Sequence, residues 1–202
     1  MTHPNLIIMN LLSFLVSLFS KPDSKPDQAP LQQQQNVPDD KPMELKQKFV
    51  KVGSSDEGKE RYGEIKDQKW VNEGAWMTVY VVPIDIAPKW INTATGKGTG
   101  KIYVNKDMKT ALDQALCSLR ASGLLSELKT FDGCFCVRDV RGVPGKTSWH
   151  SYGLAIDVNA AENALGKDPK LSTGFVKCFT DAGFTWGGTF SRKDGMHFQF
   201  AE

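Results

Sequence analysis

Hydrophobic and polar positions divide the chain into three stretches. Residues 6–19 form an apolar run (LIIMNLLSFLVSLF). At about 14 residues, it is shorter than the roughly 20 that span a bilayer core, and it matches a signal-peptide core in length. No Lys or Arg precedes it and no A-x-A site follows, while Lys21 and Lys25 lie beyond it. That charge order is wrong for an ordinary secretory signal. Asn10, Ser13, Ser17 and Ser20 recur at helical spacing and draw one mildly polar stripe. Such a stripe suits helix packing in a membrane or a helix lying at its surface. A buried helix docked on a soluble domain is the plainer alternative. The expectation is membrane contact through residues 6–20, or export to the cell envelope.

Residues 21–42 show no periodicity. KPDSKPD nearly repeats itself, and Gln32 to Gln35 form a run. Pro22, Pro26, Pro30, Pro38 and Pro42 make up half of the chain's 10 prolines. Chain of this composition stays extended and reaches on the order of 60 Å. It reads as a tether between residues 1–20 and a working domain at 43–202.

From residue 43 the pattern becomes globular. Alternation and β-branched residues predict strands at 77–84, 134–140, 153–158 and 196–201. Ala111, Leu112, Ala115, Leu116 and Leu119 keep helical spacing and predict a helix over 106–122, stopped by Gly123. A second helix is predicted over 173–182, ended by Gly183. Short strands with two helices in this order indicate an α+β fold with a small antiparallel sheet and flanking helices.

Composition adds little beyond this. Apolar residues at 40% suffice for one core, and a net charge of +2 with no basic patch gives no reason to expect nucleic acid as a partner. Cys117, Cys134, Cys136 and Cys178 include no C-x-x-C pair. They are read as small core residues, with at least one disulfide as the alternative. On a strand over 134–140, Cys134, Cys136 and Arg138 would share one face.

The chemistry concentrates in two stretches, 148–157 (SWHSYGLAID) and 194–199 (DGMHFQ). The chain has only 3 histidines, and two of them, His150 and His197, lie here near Asp157 and Asp194. A catalytic zinc takes three protein ligands and keeps a fourth position for water. His150, Asp157 and His197 can supply the three, although manganese, nickel or cobalt accept similar donors. The strand carrying His197 must then neighbour the strand carrying Asp157. Gly153 and Ala155 are small enough for close approach of backbone or substrate. Asp194, in the turn before the last strand, is left to take a proton from a water whose pKa zinc lowers to roughly 7. Arg138, with Arg141 second, is the candidate cation for an oxyanion or substrate carboxylate.

Each residue has a plainer reading. Asp194 alone is a turn residue, Arg138 a solvated charge, and a single histidine before a strand a surface or core residue. Trp186 either walls a substrate cleft or is a buried tryptophan. Ser148 beside His150 lacks the G-x-S-x-G elbow of a serine nucleophile. The metal reading rests on the whole set occurring together in a histidine-poor chain.

These residues also carry a resemblance. Ser148-x-His150-x-x-Gly153-x-Ala155-x-Asp157, followed by Asp194-x-x-His197-Phe198, resembles the signature of zinc D-alanyl-D-alanine carboxypeptidases of the VanY type. The L-alanyl-D-glutamate peptidases found among phage endolysins share that signature. The resemblance spans roughly residues 76–199, with weaker matches in "IYVNKDM" and "GCFCVRDVRG". It implies a hedgehog/DD-peptidase-like fold and Zn2+ held by His150, Asp157 and His197. It implies Asp194 as catalytic base and Arg138 polarising a carbonyl or holding a carboxylate. Ser148 would line the site and contact substrate, and the substrate would be the peptidoglycan stem peptide. A phage lysin or virion-borne wall-degrading enzyme is the first expected context, and a bacterial wall-remodelling carboxypeptidase the second. A binding module with a retained metal pocket and a membrane-anchored structural protein are the non-enzymatic alternatives.

Overall fold

Strand and helix signals in the last three quarters of the chain resolve into an α+β architecture in the computed structural model, which describes residues 52–66, 69–70 and 76–202. The apolar run at 6–19 and the tether at 21–42 lie outside the described residues. Among the described residues, no helix is long and apolar enough to cross a membrane.

The chain order is α1 (Ser55–Tyr62), β1 (Ile65–Lys66), β2 (Lys69–Trp70), β3 (Met77–Val81), β4 (Ile91–Asn92), β5 (Lys97–Gly98) and β6 (Lys101–Asn105). Then follow α2 (Lys106–Ala121), β7 (Thr130–Gly133), β8 (Asp139–Val140), β9 (Val143–Thr147), β10 (Ala155–Val158), α3 (Thr173–Asp181), β11 (Thr185–Trp186) and β12 (His197–Gln199). The main sheet has six strands in the order β11-β12-β10-β7-β4-β5. All its pairings are antiparallel except β4 with β7. Parallel neighbours need a long crossover, and α2 lies between these two in the chain. β3 pairs with β6, and β8 with β9 forms a hairpin outside the main sheet.

Periodicity placed both predicted helices correctly. In α2, Met108, Ala111, Leu112, Ala115, Leu116 and Leu119 are buried, and Asn105 caps its start by accepting from the Asp107 N–H at 2.9 Å. In α3, Phe175, Cys178 and Phe179 turn inward, and Ser172 accepts from the Phe175 N–H at 3.1 Å. Phe179 stacks on Phe198 of β12 with centroids 4.3 Å apart. The core face of β12 is thereby fixed on α3, and its neighbouring side chains point to the other face.

The strand expected over 134–140 is a correction. The sheet strand comes earlier, at Thr130–Gly133, and only Asp139–Val140 of the expected segment is extended in a ladder. Residues 134–138 instead bond to the turn that follows the hairpin. The Cys136 N–H donates to the His150 carbonyl at 3.1 Å and the Ser148 N–H to the Arg138 carbonyl at 3.0 Å. Side-chain alternation fails there, so Cys134 is buried while Cys136 is exposed. All four cysteines are free, with Cys117 exposed and Cys178 buried.

Candidate metal centre and cavity

Three local devices bring the candidate ligands together. Asp157 sits on β10 and His197 on β12, and the register pairs them directly across the antiparallel ladder. Directly opposed residues share a face with their Cβ atoms about 5 Å apart. Ile156, Val158 and Phe198 alternate with them into the core. His150 comes from a single 3-10 turn, Trp149–Tyr152, whose start Ser148 caps and whose end is Gly153. Gly153 has φ 62°, and a Cβ there would meet the Asn105 nitrogen at 2.9 Å. Both facts require glycine. The close approach expected at Gly153 is that of the β6 backbone, whose Asn105 N–H donates to the Gly153 carbonyl at 2.9 Å.

The three donor atoms form a nearly equilateral triangle. His150 Nε2 lies 3.2 Å from His197 Nδ1 and 3.2 Å from Asp157 Oδ1, and His197 Nδ1 lies 3.1 Å from Asp157 Oδ1. A tetrahedral zinc with bonds of about 2.0–2.1 Å needs ligand atoms about 3.3 Å apart. The residues are 2%, 8% and 9% exposed for His150, Asp157 and His197.

The outer bonds fix which nitrogens carry protons. His150 Nδ1 lies 2.7 Å from the Cys134 carbonyl, which only accepts, so Nδ1 holds the proton. His197 Nε2 lies 3.1 Å from Gln199 Oε1. The Gln199 amide nitrogen donates to the Ala201 and Glu202 carbonyls, each at 3.4 Å, which turns its oxygen toward His197. Two imidazole lone pairs and a carboxylate therefore converge on one point. That arrangement demands a cation, and partners that hold the outer nitrogens are what orient metal-binding imidazoles. The donor set fits a divalent metal. Sequence reasoning passed over Gln199, whose role depends on a tautomer and not on a spacing.

Without metal, a proton competes for the same lone pairs. Burial opposes ionisation of Asp157, but hydrogen bonds from His150 and His197 outweigh it and hold the carboxyl well below its usual range. Burial likewise favours neutral His197, yet the Asp157 hydrogen bond and charge raise its pKa above the ordinary value. A metal ion bound at His197 Nδ1 competes with that proton. Metal affinity is therefore expected to fall as pH drops below the raised His197 value, by about tenfold per unit for one displaced proton. Zinc titration calorimetry in two buffers of different protonation enthalpy reads the released proton. Zero release at neutral pH would show that His197 enters the site already neutral.

A cavity of about 670 Å³ opens over this centre. Its lining includes Arg138, Arg141, Ser148, Asp194 and all three candidate ligands. Asp194 is half-buried, and its Oδ1 has no hydrogen-bond partner among the described residues. Burial pushes its pKa up, while His197, His150 and Arg141 pull it back. The turn that carries Asp194 is held tightly. Its N–H donates to the Gly187 carbonyl at 2.9 Å, and a Cβ on Gly187 would meet the Asp194 carbonyl at 2.6 Å.

Residues 141–200 match the family model described as D-alanyl-D-alanine carboxypeptidase. The match supports the resemblance carried by the paired motifs, and with it a peptidase that acts on peptidoglycan. It covers both motifs and the hairpin turn before them. No curated protein and no solved structure matches the chain.

Other expected site residues differ in placement. Ser148 is buried, accepts from the His150 N–H at 3.4 Å and faces the cavity. Trp186 is not among the lining residues. Its indole N–H donates to the Gly195 carbonyl at 2.9 Å and its ring stacks on Phe198, so it buttresses the Asp194–Gly195 turn from behind. Arg138 is held by Ser151, a residue the sequence did not single out. Ser151 Oγ accepts from the Arg138 N–H at 2.9 Å and donates to the Arg138 carbonyl at 2.8 Å. Ser151→Ala leaves the Arg138 N–H without its partner, while the Arg138 carbonyl keeps the Ser148 N–H, and costs about 1–3 kcal/mol of stability. Peptidase activity is expected to fall while zinc content stays whole. Unchanged activity would mean that the clamp does not set the Arg138 position.

Proposed function

We propose that the chain is a zinc metallopeptidase that hydrolyses a peptide bond in the stem peptide of peptidoglycan. The observation that carries this is the convergence of His150, Asp157 and His197 lone pairs beside the unpartnered Asp194 carboxylate. When bound, zinc supplies a Lewis acid and lowers the pKa of a water to roughly 7. Asp194 takes the proton of the attacking water and hands it to the leaving amine. Its Oδ1 has no hydrogen-bond partner among the described residues and is left to take up that proton. Arg138 faces the same cavity and stabilises negative charge on the carbonyl oxygen or a substrate carboxylate. Ser148 contributes to the wall beside His150.

The bond cut is either the L-alanyl-D-glutamate or the terminal D-alanyl-D-alanine link. A phage lysin or virion-associated enzyme is the favoured setting, with residues 1–20 as an anchor, 21–42 as the tether and 43–202 as the peptidase domain. The length and composition of the tether support that division. A bacterial wall-remodelling carboxypeptidase is the second setting. A non-catalytic binding module would have no use for an unpaired buried carboxylate beside the metal ligands.

The test is direct. Purified full-length protein should release new amino groups from peptidoglycan, lose this on chelation and regain it with zinc. Mass spectrometry of the fragments names the bond. No release with zinc, manganese, cobalt or nickel would sink the peptidase reading.

A further inference from the structure

The chain's five arginines divide by their partners. Arg61 binds Glu57 at 2.8 Å, and Arg120 grips Asp85 through two nitrogens at 2.8 Å each. Arg138, Arg141 and Arg192 have no carboxylate partner among the described residues, and all three line the cavity. Lys146 lines it too and is likewise without an ion pair among the described residues. Arg138 has a role in the proposed reaction. The other three cations have none.

Their placement is organised. Arg141 and Lys146 stand on the β8–β9 hairpin, at its turn and on its second strand. Arg192 comes from the loop before Asp194 and donates to the Arg141 carbonyl at 2.9 Å. This bond ties the hairpin turn to that loop and keeps the residues on one rim. Arg141 is near enough to Asp194 for its charge to favour the ionised carboxylate. The acids lining the cavity are Asp157 and Asp194 at the metal centre, and Glu202. Glu202 lies by Gly53, where its carboxylate comes 3.9 Å from a Cβ position. The rim cations are thus left to meet an incoming anion.

We propose that Arg141, Lys146 and Arg192 form an anion subsite that takes a second carboxylate of an acidic peptide, away from the bond being cut. Guanidinium forks match carboxylates in pairs of hydrogen bonds. Unpaired cations in a concave wall also concentrate anions before contact. A cavity of about 670 Å³ accommodates a peptide of a few residues. The inference rests on the peptidase reading only in taking the cavity's ligand to be a peptide.

Binding decides it without turnover. The probes are a stem-peptide analogue with one side-chain carboxylate and a free C-terminus, and two analogues in which one or the other carboxylate is a carboxamide. Affinities are measured by calorimetry on zinc-loaded full-length protein in an Asp194→Asn background. Loss of the side-chain carboxylate should weaken binding about tenfold. In Arg141→Gln/Lys146→Gln that penalty should shrink toward onefold, and high salt should shrink it in the parent. Both substituted side chains are exposed, which limits any effect on folding. Arg192→Gln alone should reduce the penalty partway. Equal affinity for the acid and the side-chain amide overturns the proposal. So does a tenfold penalty that survives the double substitution, or a loss confined to the C-terminal amide. A preserved preference alongside a wild-type protein that releases no amino groups from peptidoglycan with any of the tested metals would count against the peptidase reading and for the subsite.

Discussion

Asp194→Asn is expected to keep its metal and lose turnover, with kcat down roughly 10²–10⁴-fold, the range for removal of a general base. The substitution is nearly isosteric. The backbone bonds that hold the turn, from the Asp194 N–H to the Gly187 carbonyl and from the His197 N–H to the Asp194 carbonyl, do not involve the side chain. The buried Oδ1 has no partner whose loss could unfold the turn. Zinc content by atomic emission and kcat on one peptide are the two readouts. Full activity at full zinc would remove Asp194 from the chemistry and leave it a turn residue.

Asp157→Ala is expected to fail earlier, at metal binding. Its carboxylate is the only anionic donor in the triangle, and it lies within 3.2 Å of both imidazole nitrogens. Two neutral imidazoles remain, without a charge to offset the ion. The drop in zinc affinity should exceed the roughly 10–100-fold that follows loss of an outer-shell partner. Activity should be lost with it and return only in part at high zinc. The same substitution removes the group that raises the His197 pKa, so that pKa in the metal-free protein should fall, which imidazole NMR resonances would report. Wild-type zinc affinity in Asp157→Ala would place the metal elsewhere.

The contrast between these two variants follows from features that differ in how plainly the sequence carries them. The helices α2 and α3 are written as apolar repeats, and the structure buries those same residues. The paired motifs are written as residue types at short spacing. Their meeting depends on β10 and β12 being neighbours, which the sequence analysis required and the sheet order provides. The hairpin Asp139–Thr147 had no such signal, because its residues are mostly exposed and show no apolar alternation. The helix Ser55–Tyr62 did leave one. Ser54 accepts from the Glu57 N–H at 3.1 Å, and Glu57 accepts from the Gly53 N–H at 2.8 Å, a capping arrangement with S-x-x-E spacing. Its polar composition hid it from a search for apolar faces. Ser151 and Gln199 act through contacts set by the tertiary fold, so residue type alone could not mark them.

The register of β10 against β12 would also make metal uptake a proofreader of folding. Side chains alternate along both strands, so a one-residue slip of β12 past β10 would turn His197 toward the aromatic stack and set Phe198 beside Asp157 on the cavity face. A chain paired in that way lacks one of the three converging donors and would hold a metal ion weakly. A bound metal ion would therefore favour the correctly paired sheet over its near neighbours, and a population refolded with zinc present should contain fewer slipped chains than one loaded afterwards.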